Sequence, residues 1–298
     1  MNILRKKAGI LRGCTILAFF VFIAILVSVY KKQPAYLFLF GGIGFFSGIT
    51  EYAIATSQKN RQTIRKINLL AIATLLVSLA FIIGINFQYG QVFVDIYSGV
   101  ITGALIQFVI ARLFLPLIFG NIFCSRVCWD GAMFEILDKN KSSQQQLPSR
   151  SLLSFLFLVL ITTAACAAIV FHNFSSSNPN TSRFNFFIAN VIIVITGIIL
   201  SNFLGPRAYC RKICPFLTIS GILAPFSFFK VSPFNHYECI NCGKCSKACP
   251  MHINVMEFVQ NNKRINHPDC IMCENCVSAC PKNCLIVLPA TMKNKKIT

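Results

Sequence analysis

Two stretches near the end of the chain carry cysteines at spacings that do chemistry. At 239–250 the text is CINCGKCSKACP, and at 270–281 it is CIMCENCVSACP. Each reads Cys-x2-Cys-x2-Cys-x3-Cys-Pro, the run that binds a [4Fe–4S] cluster. Three thiolates in a tight loop reach three corners of one cubane, and the fourth, at the following helix start, reaches the neighbouring cluster. Cys239, Cys242, Cys245 and Cys280 are therefore expected to hold one cluster, and Cys270, Cys273, Cys276 and Cys249 the second. Zinc knots also use four thiolates, but not a doubled three-plus-one run. Disulfides do not suit a reducing cytoplasm. Cys284, Cys14 and Cys166 read as small packing residues.

A second constellation lies upstream. GNIFCSRVCWDGAMFEIL at 120–137 aligns with GPRAYCRKICPFLTISGIL at 205–223, pairing Phe123 with Tyr209, Cys124 with Cys210 and Cys128 with Cys214. Residues four apart on a helix share a face, so each Cys-x3-Cys pair is expected to aim two sulfurs one way. A relaxed disulfide does not fit that spacing. Three readings stay open for Cys124, Cys128, Cys210 and Cys214: a shared metal or iron–sulfur site, a redox dithiol or metal relay, and structural thiols.

The elements that position these residues are apolar. The chain of 298 residues is 55% hydrophobic and 12% charged, against about 25% charged in ordinary soluble domains. Six apolar segments, near 13–30, 35–56, 67–87, 98–119, 151–171 and 184–204, have the length of membrane helices. The fold class expected is an α-helical integral membrane protein of about six transmembrane helices over 1–230, with a small C-terminal α+β two-cluster ferredoxin-like domain over 231–298. The N-terminal stretch reads as a retained first span rather than a cleaved signal. Lys and Arg gather at the N-terminus, at 57–66 and at 120–150, which puts both termini on the cytoplasmic side of a bacterial or archaeal membrane. The net charge of +19 follows that loop pattern, and no nucleic-acid partner is expected. Glu51 and Arg112 fall inside apolar segments, where charge is costly and often functional. They are candidates to pair with each other, to serve a quinone headgroup and its proton, or to snorkel separately to the interface.

The paired Cys-x3-Cys motifs and the double ferredoxin run together resemble the membrane polyferredoxins of the NapH, NosR and MauN group. The group's motif reads like F-C-G-W-x-C-P-x-G-A; here Phe123-Cys124 and Cys128 are followed by Trp129 in place of the proline, while Cys214-Pro215 keeps it. The Trp129 replacement leaves room for a different turn. The resemblance implies a membrane electron-transfer subunit relaying electrons between quinone and a partner redox enzyme such as a terminal reductase or dehydrogenase. It leaves two rivals: an assembly factor or copper reductase acting through the cysteine pairs, and a membrane redox sensor. With four histidines and no facing pair in a span, no haem is expected. Neither a dinucleotide loop nor a P-loop is present. Ser47-Gly48-Ile49-Thr50 faintly matches a covalent-flavin motif but reads as helix packing, so no flavin is expected.

Overall fold

Long runs of Leu, Ile, Phe and Ala bury their backbone polar groups most easily as helices, and helices dominate this chain. The computed structural model describes residues 2–32, 34–57, 59–83, 89–137 and 179–291, with isolated positions at 156, 157, 159–161 and 164. Helix α1 spans Asn2–Lys31, and α2, Ala35–Thr56, returns along it. Their backbones touch: a Cβ on Gly48 would lie 3.0 Å from the Gly13 carbonyl oxygen. The Ser47–Thr50 stretch is thus small-residue packing. Helix α3 covers Arg61–Ile83.

Helix α4, Tyr89–Ser98, stops at Gly99, whose φ is +65°. The chain bends by 117° and restarts as α5, Gly103–Phe108, where the Thr102 hydroxyl accepts from the Ala104 N–H at 3.1 Å. A π-helical turn, Val109–Phe114, then leads into α6, Leu115–Phe119. Such insertions recur at functional sites, and this one carries Arg112. Four short helices follow around one longer one. They are α7, Phe123–Arg126; α8, Trp129–Leu137; α9, Pro179–Leu204; α10, Ala208–Lys212; and α11, Pro215–Leu223.

The expectation of six transmembrane helices does not hold. Among the described residues one helical stretch, Lys6–Tyr30, is long and apolar enough to cross a bilayer, or two if the bent α4–α6 pair is one span. Segment 98–119 starts at the bend and is helical only from Gly103 to Phe119, and 151–171 lies almost wholly outside the described residues. The physical reason is that an apolar run reads alike whether it packs in protein or lies in lipid.

The C-terminal part has the ferredoxin-like α+β form. Strand β1, Phe229–Pro233, pairs antiparallel with β2, Leu285–Pro289, with Val231 opposite Val287. The expected boundary at 230/231 falls within β1. Between the strands lie α12, Lys244–Lys247; α13, Val255–Gln260; and α14, Asn275–Ala279. Both strands are buried along their whole length. The sheet is seated on the helices. Phe229 stacks on Phe119 with ring centroids 5.1 Å apart, and Ala8 of α1 packs with Ile286 and Leu288.

Candidate functional site

The two cysteine runs share a backbone device. Asn241 and Met272, two residues past the first cysteine of each run, both have positive φ, at 54° and 53°. Gly243 and Glu274, two residues further on, match at 68° and 60°, and His252 and Asn283 match beyond the fourth cysteine at 56° and 53°. Left-handed residues turn each loop back on itself, which lets three cysteines face one point.

Two small cavities result. One is lined by Cys239, Cys242, Cys245 and Cys280, with Cys284, Met256, Val259 and Leu285 around them. The other is lined by Cys249, Cys270, Cys273 and Cys276, with Val231, Ile253 and Ile271. Each cavity therefore takes three sulfurs from one run and one from the other. This soft, four-sulfur donor set in an apolar shell fits an iron–sulfur cluster. Among the described residues no three His, Cys, Asp or Glu side chains converge closely enough for a single metal ion. Burial pushes the Cys249 and Cys270 thiols up to about 12, so bound metal must draw those protons off. The Cys284 N–H points at Cys280 Sγ, 3.3 Å away, while its side chain is buried in the core.

A buried ion network clamps the second run to the helices. Glu274 sits between Cys273 and Cys276 in the run. Its Oε1 accepts from Arg12 Nη2 at 2.6 Å and from Arg126 Nη2 at 3.2 Å, and its Oε2 lies 3.2 Å from Arg61 Nη1. Glu51 of α2 pairs with Arg12 and with Arg126 Nε. Gln62 of α3 adds a bond to the Cys273 carbonyl at 3.3 Å. Burial works against the Glu274 carboxylate, but the three guanidiniums outweigh it and hold its pKa down to about 2.

The Cys-x3-Cys segments are a structural repeat as well as a sequence repeat. Gly120 and Gly205 introduce them with φ of 64° and 80°. The short helices α7 and α10 then end at Val127 and Ile213, whose dihedrals nearly coincide at −136°, −32° and −124°, −32°. Cys128 N–H bonds the Phe123 carbonyl at 3.0 Å, and Cys214 N–H bonds the Tyr209 carbonyl at 3.0 Å. Cys128 and Cys214 then open α8 and α11. The helix thus breaks inside each pair, and the shared-face expectation gives way to a cysteine on either side of a turn. Trp129 and Pro215 occupy the same first helical position, so the missing proline does not alter the turn.

Arg112 lies against these thiols. Its Nη1 donates to Cys124 Sγ at 3.4 Å, and its guanidinium carbon sits 4.5 Å from the ring centroids of both Phe123 and Phe216. Glu51 and Arg112, weighed as a pair, therefore go separate ways, one to the ion network and the other to Cys124. Arg207, itself at φ 51°, reaches from the second segment to the Cys124 carbonyl at 3.0 Å and the Gly131 carbonyl at 3.3 Å. Asn121 ties the first segment to the C-terminal part through the Pro268 carbonyl at 2.7 Å. Burial, working against the Arg112 charge, pushes Cys128 up to about 12 and Cys214 up to about 11, with Asp130 adding to the rise at Cys128.

Comparison with known proteins agrees with this division. Residues 234–281 match the 4Fe-4S dicluster domain family, and residues 101–152 and 186–232 each match the 4Fe-4S binding domain family. The chain carries 4Fe–4S ferredoxin-type domains. It is 26% identical over 193 residues to YccM of Escherichia coli (strain K12), named for electron transport, covering 59% of this chain and 53% of that protein. To the methylamine utilization ferredoxin-type protein MauN of Paracoccus denitrificans (strain Pd 1222) it is 27% identical over 153 residues, 49% of this chain and 54% of MauN. An uncharacterized protein of Methanocaldococcus jannaschii matches at 28% over 167 residues, 52% of this chain and 69% of that protein. The chain spans about half the length of YccM and MauN. No solved structure matches.

Several residues of this iron–sulfur chain gave no signal in the sequence. Arg12, Arg61 and Arg126 read only as loop charges that mark orientation, and Glu274 drew no reading of its own. The structure buries all four.

Proposed function

We propose that this chain is a membrane-attached electron carrier that relays electrons between the quinone pool and a partner redox enzyme. In this reading two [4Fe–4S] clusters are held by Cys239, Cys242, Cys245 and Cys280, and by Cys249, Cys270, Cys273 and Cys276. The observation that carries it is the pair of cavities, each lined by three cysteines of one run and one of the other, with Cys284 also lining the first. When bound, such clusters supply one-electron chemistry. The chain's own residues shield the thiolates from water, donate an N–H to Cys280 Sγ, and lock the second run to α1, α2, α3 and α7 through Glu274 and Glu51.

Attachment to a bacterial or archaeal cytoplasmic membrane is supported by Lys6–Tyr30 and by apolar side chains turned outward. Phe22, Phe38, Phe46 and Phe203 are 60%, 83%, 67% and 73% exposed. The start of α1 packs on β2, so these two ends of the described chain share one side; the loop charges favour the cytoplasmic side.

A third centre at Cys124, Cys128, Cys210 and Cys214 belongs to the same reading. It is supported by the repeat geometry and by the 4Fe-4S binding domain matches over both segments. Iron and acid-labile sulfide per chain, with electron paramagnetic resonance on anaerobically purified protein, test this. About twelve irons support three centres and about eight support two; a colourless, zinc-loaded chain refutes the carrier reading.

A further inference from the structure

A cavity lies beside the ion network, outside both cysteine-lined pockets. Its volume is about 250 Å³, and Phe20, Phe40, Ile72 and Ile106 form much of its apolar wall. For scale, an engineered cavity of about 150 Å³ takes benzene. Thr50, Glu51, Asn68 and Arg126 also line it. These four are linked: Thr50 donates to Asn68 Oδ1 at 3.0 Å, Asn68 Nδ2 donates to the Arg126 carbonyl at 3.3 Å, and Glu51 holds Arg126 Nε. They gather the cavity's charge at one end.

One polar atom of a lining residue has no partner. Arg126 is 4% exposed, its Nε and Nη2 are bonded to Glu51 and Glu274, and its Nη1 is buried with no hydrogen-bond partner. A buried guanidinium N–H left unmatched costs free energy that a ligand oxygen recovers. Asn68 and Glu51 have already committed their groups to protein partners, so the open valence at this end is a donor. The occupant that fits has an acceptor oxygen at its head and an apolar ring and tail behind it. The same Arg126 reaches Glu274 inside the second cysteine run, so the head would sit one side chain away from that run.

We propose that this cavity is a quinone-binding site in which Arg126 Nη1 donates to a ring carbonyl and the Phe20, Phe40, Ile72 and Ile106 walls take the ring and the start of the tail. The redox role of the ligand rests on the electron-relay reading; its binding does not. Arg112, aligned with Cys124, is not part of this wall.

Decylubiquinone binding to the detergent-purified full chain tests the site, with decylbenzene as the same tail lacking carbonyls. One equivalent of decylubiquinone is expected to bind, at least tenfold tighter than decylbenzene. Ile106→Trp, which fills the wall, and Arg126→Lys, which keeps the charge but loses the fork, should each weaken it at least tenfold. Unfolding temperature and the resonance spectrum of each variant check that the chain is intact. Equal binding of the two probes, or Ile106→Trp binding like the native chain with an unchanged spectrum, overturns the site. Decylubiquinol reduction of the clusters is read separately. Reduction that survives in Ile106→Trp at the native rate removes the cavity and keeps the relay, whereas binding without any reduction in the native chain keeps the cavity and removes the relay.

Discussion

Arg126 and Glu274 meet at 3.2 Å in the buried interior, although 148 positions separate them in the chain. Arg126 lies two residues past Cys124, and Glu274 directly follows Cys273. The contact joins the upstream cysteine segment to the C-terminal run, with Arg12 and Arg61 completing the coordination of the carboxylate. Glu274 holds left-handed backbone, which its three partners stabilise against the usual preference of a non-glycine residue.

Glu274→Gln removes one of the two carboxylates, Glu274 and Glu51, that Arg12, Arg61 and Arg126 share. Removing one partner from a buried network typically costs about 3–5 kcal/mol. The expected result is a large fall in unfolding temperature with loss of the second cluster before the first. Unchanged stability would show that the network is screened.

Crossed ligation makes a sharper test. Cys249→Ser should perturb the same resonance signal as Cys273→Ser, and Cys280→Ser the same signal as Cys242→Ser. If Cys249→Ser instead alters the signal lost in Cys242→Ser, each run holds its own cluster and the cavity assignment is wrong.

Gly120 has φ of 64° and ψ of −160°, a region open to glycine and strained for other residues. Its missing Cβ would also lie 3.3 Å from Met272 Cγ, inside the second run. Gly120→Ala is expected to cost about 1–3 kcal/mol, read by chemical unfolding, and to lower iron occupancy of the second cluster. A neutral effect on both would mean that the segment shifts freely.

Glu135 gives a pH dependence. Burial alone would raise its carboxyl, but bidentate hydrogen bonding from Arg65 and the charges of Arg207 and Lys66 outweigh it and lower the pKa below the usual 4.5. A carboxylate with a depressed folded-state value stabilises the fold fully above its unfolded value, and that contribution is lost as pH falls through the folded value. Thermal unfolding from pH 6 down to about pH 3 should show a drop below about pH 4.5 that is smaller in Glu135→Gln. Parallel curves for the two proteins would assign the drop elsewhere.

The cysteine runs were legible from the amino-acid order because ligand spacing within a tight loop is set by local covalent geometry. The alignment of Cys124 with Cys210 and of Cys128 with Cys214 was legible for the same reason, and the matched dihedrals at Val127 and Ile213 show how far a local pattern carries. The helix break inside each pair was not, since a Cys-x3-Cys spacing is equally at home on an unbroken helix. Nor was the number of crossing helices, because hydropathy counts apolar residues without knowing which neighbours cover them. Only the tertiary structure decided that Glu51 joins Arg12 and Arg126 while Arg112 turns to Cys124. Buried charges choose partners by proximity in space, and in this chain those partners lie 39 and 75 residues from Glu51 but 12 from Arg112.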